Sequence, residues 1–200
     1  MKNSIFLSLL PCLIILLGTG CKSEYQQMKE REMASDIRHD SLFLGIYLGM
    51  PSQDFYDHCF VLNRSKIIGE GPNNTTAQFR IETFKSPARM LFFPEFYQDK
   101  IFEMPMTFRY FDWALWNEST SAESLLPEVK KLMEKWYGAG FITVKSPSGE
   151  NAFVKIEGNR RVLIRKYDNG NVLVRITDLS VEEAARKEKP YVEPEYGRTE

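Results

Sequence analysis

Apolar positions form one almost unbroken run, residues 5–17 (IFLSLLPCLIILL), and are spaced periodically through most of the chain between residues 41 and 180. Beyond that run, the GMPS stretch at 49–52 predicts a turn leading into a helix over 53–64. Ser52 can accept the first-turn amides, and Asp54 suits the positive end of the helix dipole. Phe55, Cys59 and Leu62 recur at i, i+4 and i+7 and make one apolar stripe. A second stripe, Leu125, Val129, Leu132 and Trp136, predicts a helix over 124–137 that stops at Gly138, with Pro127 in its first turn or bending it.

Period-two alternation marks the strands. A short one is expected at 42–48. Others follow at 78–83, 89–93, 100–103 and 107–113, interrupted by Pro87, Pro94 and Pro105. The C-terminal part is clearest: strands at 141–145, 151–157, 160–167 and 171–177, joined by Ser148-Gly149, Gly158-Asn159 and Asn169-Gly170. Those dipeptides supply the backbone that tight hairpins need. This is an antiparallel β-meander. Helix followed by strands, twice over, predicts an α+β fold with two helices packed on an antiparallel sheet and a helix-plus-strands repeat.

The N-terminal run has a different meaning. Thirteen residues of helix rise only about 20 Å, short of the roughly 30 Å needed to span a bilayer. A basic start at Lys2, a short apolar middle and the small residues Gly18, Thr19 and Gly20 form a secretory signal over residues 1–20. Cys21 follows at once. Residues 18–21 resemble the lipobox of bacterial lipoproteins, with Gly18 standing where Leu is commonest and Leu17 one position early. The resemblance implies that Cys21 is acylated and becomes the new N-terminus, moored to the membrane through its lipid. It also implies the outer rather than the inner membrane, since Lys22-Ser23 lacks the aspartate of inner-membrane retention. Several acyl chains can hold a protein on a bilayer where one alone cannot, at about 0.8 kcal/mol per buried CH₂.

Residues 21–40 then read as the lipidated cysteine and a polar tether with helical character over 26–33, residues 41–180 as one domain, and 181–200 as a short charged helix and an extended, proline-bearing tail. A lipoprotein signal, a polar tether and a Gly49-Met50 turn opening a short helix resemble the SmpA/OmlA-type lipoproteins of the outer-membrane β-barrel assembly machinery, over about residues 45–62. The paired helix-plus-strands layout is similar to β-lactamase-inhibitor-like domains. Both families are structural subunits or binders, and no partner residues carry across.

Charge narrows the partners. Lys and Arg number 26 against 27 Asp and Glu, so no whole-molecule field steers the chain to nucleic acid. Of three cysteines, Cys12 lies in the signal and Cys21 in the lipobox, which leaves Cys59 without a disulfide partner. HExxH, GxSxG, GxxxxGK[ST] and CxxC are all missing, so no catalytic, metal or cofactor residue is nominated. His58-Cys59 are helix neighbours that point about 100° apart, and Cys59 falls on the apolar stripe. Glu82, Glu95, Asp99, Glu103 and Asp112 lie among aromatics, the setting of a glycosidase pair, but spacing alone does not bring two of them together.

Two features point to binding. Aromatics crowd residues 84–116, and FRYFDWALW at 108–116 puts rings on both faces of its strand. Trp113 and Trp116 are either packed against a second layer or offered to a partner or glycan. In the meander, Val154/Ile156, Val162/Ile164 and Val172/Val174/Ile176 read as the apolar face. That leaves Lys155, Arg165 and Arg175 as a basic column opposite, either solvated and relieved by Glu157 and Asp178 or serving an acidic protein, lipid headgroup or polyanionic glycan. The expected function is a non-catalytic binding or envelope-assembly lipoprotein with an envelope protein as partner. A glycan-binding or glycan-processing role is the alternative.

Overall fold

The computed structural model describes residues 22–145 and 149–191. The signal, Cys21, the first residue of the Ser148-Gly149 turn and the tail beyond Tyr191 lie outside the described residues.

Alternating side chains build a single antiparallel sheet of nine strands among the described residues, so the fold is α+β. After helix α1 (Glu24–Met33) and helix α2 (Ser52–Arg64) come β1 (Gly69–Glu70), β2 (Ala77–Ile81), β3 (Ala88–Phe92), β4 (Glu95–Tyr97) and β5 (Lys100–Tyr110). Helix α3 (Ala122–Tyr137) then precedes β6 (Ile142–Lys145), β7 (Asn151–Glu157), β8 (Arg160–Lys166) and β9 (Val172–Asp178), and α4 (Glu182–Glu188) follows. The strand order is β1-β2-β3-β5-β9-β8-β7-β6, with β4 also on β5. A helix and an antiparallel run of strands therefore occur twice, and the last strand of each run, β5 and β9, meet at the centre.

The sheet's first face carries Ala88, Met90 and Phe92 of β3, Met104, Met106, Phe108 and Tyr110 of β5, Val162 and Ile164 of β8, and Val172, Val174 and Ile176 of β9. Phe55 and Leu62 of α2 and Leu125, Val129 and Met133 of α3 close over them. Ser121 caps α3 at Ser124 N–H, and Gly138, at φ +81°, ends it.

The expected strand at 42–48 is instead a tight turn. Leu44 and Gly45 both take positive φ, and Ile46 N–H reaches the Phe43 carbonyl. Its alternation read as strand because Leu42, Phe43, Ile46 and Leu48 all enter the core. The two strands expected on either side of Pro105 are one: β5 runs through it. Pro105 sits opposite the break between β3 and β4 at Phe93-Pro94, where the neighbouring ladder changes strands.

The expected polar tether is also different. Residues 24–33 form α1, capped by a reciprocal Ser23–Gln26 box, and Met28 is buried against Val154, Ile156 and Leu179. Helices therefore lie on both faces of the sheet, not one.

Candidate functional site: the second face of the sheet

The Gly158-Asn159 turn pairs Glu157 with Arg160, so Lys155 stands opposite Val162 and Val154 opposite Leu163. Pairing across a two-residue turn joins odd to even positions. Lys155 consequently belongs to the first face, while Ala152, Val154 and Ile156 share the second with Leu163, Arg165 and Arg175. The expected column of Lys155, Arg165 and Arg175 does not form.

Lys155 is buried beneath the end of α3. Its ammonium donates to the Tyr137 carbonyl and pairs with Glu157 at 2.8 Å, capping the negative end of the helix. Arg160 also binds Glu157, at 2.9 Å, donates to the Ser41 carbonyl and stacks on Tyr137. This group joins α3 to the 41–48 turn and is structural.

Arg165 and Arg175 do share the second face. Arg165 donates to the Lys166 carbonyl at 3.1 Å and lies over Tyr167. Arg175 pairs with Glu103 at 3.1 Å and stacks on Tyr191, 3.8 Å from its ring centre. Glu103 is fully buried. It accepts from Thr177 Oγ1 at 2.7 Å and from Arg186 of α4 at 2.5 Å, and Arg186 bridges on to Glu95 at 2.7 Å. Burial raises the Glu103 carboxyl above its ordinary value against the pull of Arg175, Arg186 and Thr177. Arg175 is thus part of a network that fastens α4 over the sheet centre, not a solvated surface charge.

Further along the same face, Arg80 of β2, Arg89 of β3 and Arg109 of β5 stand in one cross-strand row. Arg80 pairs with Glu82 and lies over Phe111, and Arg109 lies over Trp113 at 4.2 Å. Arg89 between them has no ion-pair partner among the described residues, and its Nε is buried without a hydrogen bond. Burial lowers the pKa of Arg89, and burial together with Arg89 lowers that of Arg109, with Asp168 opposing. Like charges directly opposite one another on a sheet repel, and this row keeps three of them.

The two tryptophans separate. Trp113 packs on the 168–170 turn, donates to the Asn169 carbonyl at 3.4 Å and touches Gly170, where a Cβ would come within 2.6 Å. Trp116 is 87% exposed, beside Leu115 at 72%.

Of the remaining acids, Glu95 and Glu103 are cross-strand neighbours tied together by one arginine, whereas Asp99 and Asp112 lie apart. Glu95 and Glu103 share Arg186, Asp99 accepts from Ser52 at one end of β5, and Asp112 accepts from Ser86 beyond the other. Eleven strand residues put those ends roughly 35 Å apart, far beyond the 5–9 Å of a glycosidase pair. His58 Nε2 meets the Leu44 carbonyl at 2.6 Å rather than Cys59, whose thiol burial pushes up to about 11. Among the described residues no cluster of His, Cys, Asp or Glu could hold a metal, and no helix is long and apolar enough to cross a membrane.

Composition and motif do not single out Arg80, Arg89 and Arg109. Each alternates with apolar neighbours, Phe79 and Ile81, Ala88 and Met90, Phe108 and Tyr110, and so was legible as facing away from the core. What was missing was the register that lines them up. No protein-family model, curated protein or solved structure matches the chain, so the site stands on its own geometry.

Proposed function

We propose that this chain is a lipid-anchored protein of the bacterial cell envelope, with the outer membrane as its site and a non-catalytic binding or assembly role for its α+β domain. The observation that carries this is the N-terminal pattern: a basic start, a thirteen-residue apolar run too short to span, and small residues ending at Cys21. The described chain supports a surface-bound role. Glu95 and Glu103 are engaged by Arg186, Cys59 is a half-buried thiol held protonated, and Arg80, Arg89 and Arg109 form one row on the second face. Intact-mass analysis of the native product tests the reading. A mature chain beginning at Cys21 and carrying acyl mass is expected, and Cys21→Ala should leave the protein unacylated. A mature form starting elsewhere, or a bare thiol at position 21, overturns it.

The exposure of Trp116 favours one second reading, a glycan platform in which a sugar stacks on the indole. Titration with oligosaccharides should then quench the emission that Trp116→Phe removes. No change across envelope glycans rules the platform out.

A further inference from the structure

Register places several loops at one end of the sheet: residues 82–87 after β2, 111–117 after β5, and 168–170 between β8 and β9. The end of β6 at Lys145 and the start of β7 at Asn151 are at the same end. Helix α1 points its N-terminus that way, since Ser23 and Tyr25 line a groove with Thr143 and Lys145 while Glu32, near its other end, accepts from Gly158 N–H. The chain therefore reaches the domain from the end that carries the 111–117 loop.

Two chemistries meet there. Leu115 and Trp116 stand 72% and 87% exposed, side by side at the loop tip, and Phe111 is 42% exposed nearby. Behind them, on the second face, is the row of Arg80, Arg89 and Arg109, with Arg80 over Phe111 and Arg109 over Trp113 of the same loop. Several carboxylates at this end are already engaged: Glu82 with Arg80, Glu123 with Lys166, and Asp168 with Asn171. Arg89 keeps its positive charge with no carboxylate among the described residues and a buried Nε that donates to nothing.

We propose that this end of the molecule docks on a phospholipid surface. Leu115 and Trp116 enter the headgroup region, and Arg89 with Arg109 takes lipid phosphates. Tryptophan belongs at the boundary between water and hydrocarbon, and a guanidinium matches a phosphate with paired N–H donors. An anion placed between Arg89 and Arg109 also relieves the repulsion that their register imposes. Docking gives the anchored domain a second point of attachment and fixes which way it faces. The inference rests on the acyl anchor at Cys21, because the anchor brings this end to the bilayer.

The test uses the acylated full-length chain reconstituted in vesicles of phosphatidylcholine and phosphatidylglycerol with brominated acyl chains, compared with unbrominated vesicles. Wild-type emission should fall by up to about a third, the share of one of three tryptophans, and Trp116→Phe should abolish that loss. The Arg89→Gln, Arg109→Gln double variant should reduce the quenching, and circular dichroism of each variant checks that the fold is kept. Protein that sediments with vesicles yet shows equal quenching in wild type and Trp116→Phe, or none, overturns docking and leaves the anchor standing. Protein that does not associate with vesicles overturns both. Undiminished quenching in the double arginine variant overturns the phosphate contact.

Discussion

The two faces of the sheet are closed by different physics. On the first, α2 and α3 close over a core that is apolar apart from the Lys155, Glu157 and Arg160 group at the end of α3, and Phe108, Met106, Met104 and Ile164 are fully enclosed. On the second, α1 contributes a small apolar patch around Met28, and α4 is held by ions: Arg186 to Glu95 and Glu103, Arg161 to Glu182 at 2.5 Å. The contrast teaches where each face is vulnerable. An apolar face loses stability in proportion to the volume removed. An ionic face fails when one partner leaves and its buried counter-charge is stranded.

The largest effect should come from the first face. Phe108→Ala opens a cavity at its centre and should cost about 4 kcal/mol, read as a lower denaturant midpoint in urea unfolding. Glu103→Ala attacks the second face. It leaves Arg175 and Arg186 without their shared carboxylate and should cost about 3 kcal/mol, with α4 protected less against amide exchange than the core strands. A smaller loss from Glu103→Ala than from an exposed-site control would show that α4 is held by packing and not by charge.

The smallest effect depends on pH. Asp178 is buried, which works against ionisation, yet hydrogen bonds from Ser180, Arg38 and Asn159 hold its carboxyl below the ordinary range. A carboxyl depressed on folding stabilises above its unfolded value, about 3.9, and that stability is lost as pH falls through the folded value. Asp178→Asn should therefore cost about 1–2 kcal/mol at neutral pH. Thermal midpoints of wild type and variant should converge as pH drops below about 3.9. Parallel curves down to acid would assign the loss to shape and not to charge.

How much of this was readable beforehand differs between the same two faces. The first face was legible in β5 from residue 102 to 110, where apolar and other residues alternate, and at Val162, Ile164, Val172, Val174 and Ile176. In α3 Leu125 and Val129 are buried as expected, but Met133 and Tyr137 rather than Leu132 and Trp136 complete the buried stripe. Within the meander only β7 was turned over. Val154 and Ile156 are as apolar as Val162 and Ile164, and hydropathy cannot distinguish a strand covered by α3 from one covered by α1. The parity of the Gly158-Asn159 turn did contain the answer, since it sets Lys155 opposite Val162. The second face was hidden for a physical reason. Helix α1 commits one buried apolar side chain, Met28, within a polar stretch, and α4 commits only Ala185 and the ion-paired Arg186, so neither carries a stripe that marks it as packed. The turn at 42–48 was concealed by its own apolarity. Arg80, Arg89 and Arg109 were visible singly, and only strand pairing makes them a row.

The meeting of β5 with β9 at the middle of the sheet has a consequence for how the chain is made. Glu103 and Thr177, bonded across that seam, are 74 residues apart. During synthesis the first half can zip its own strands, but the open side of β5, rich in Met and Phe, waits for the final strand to emerge. Until then the nascent chain offers a bare, sticky margin, so a helper that shields this margin should raise the yield of soluble product, and truncation before β9 should yield aggregates and not a smaller stable domain.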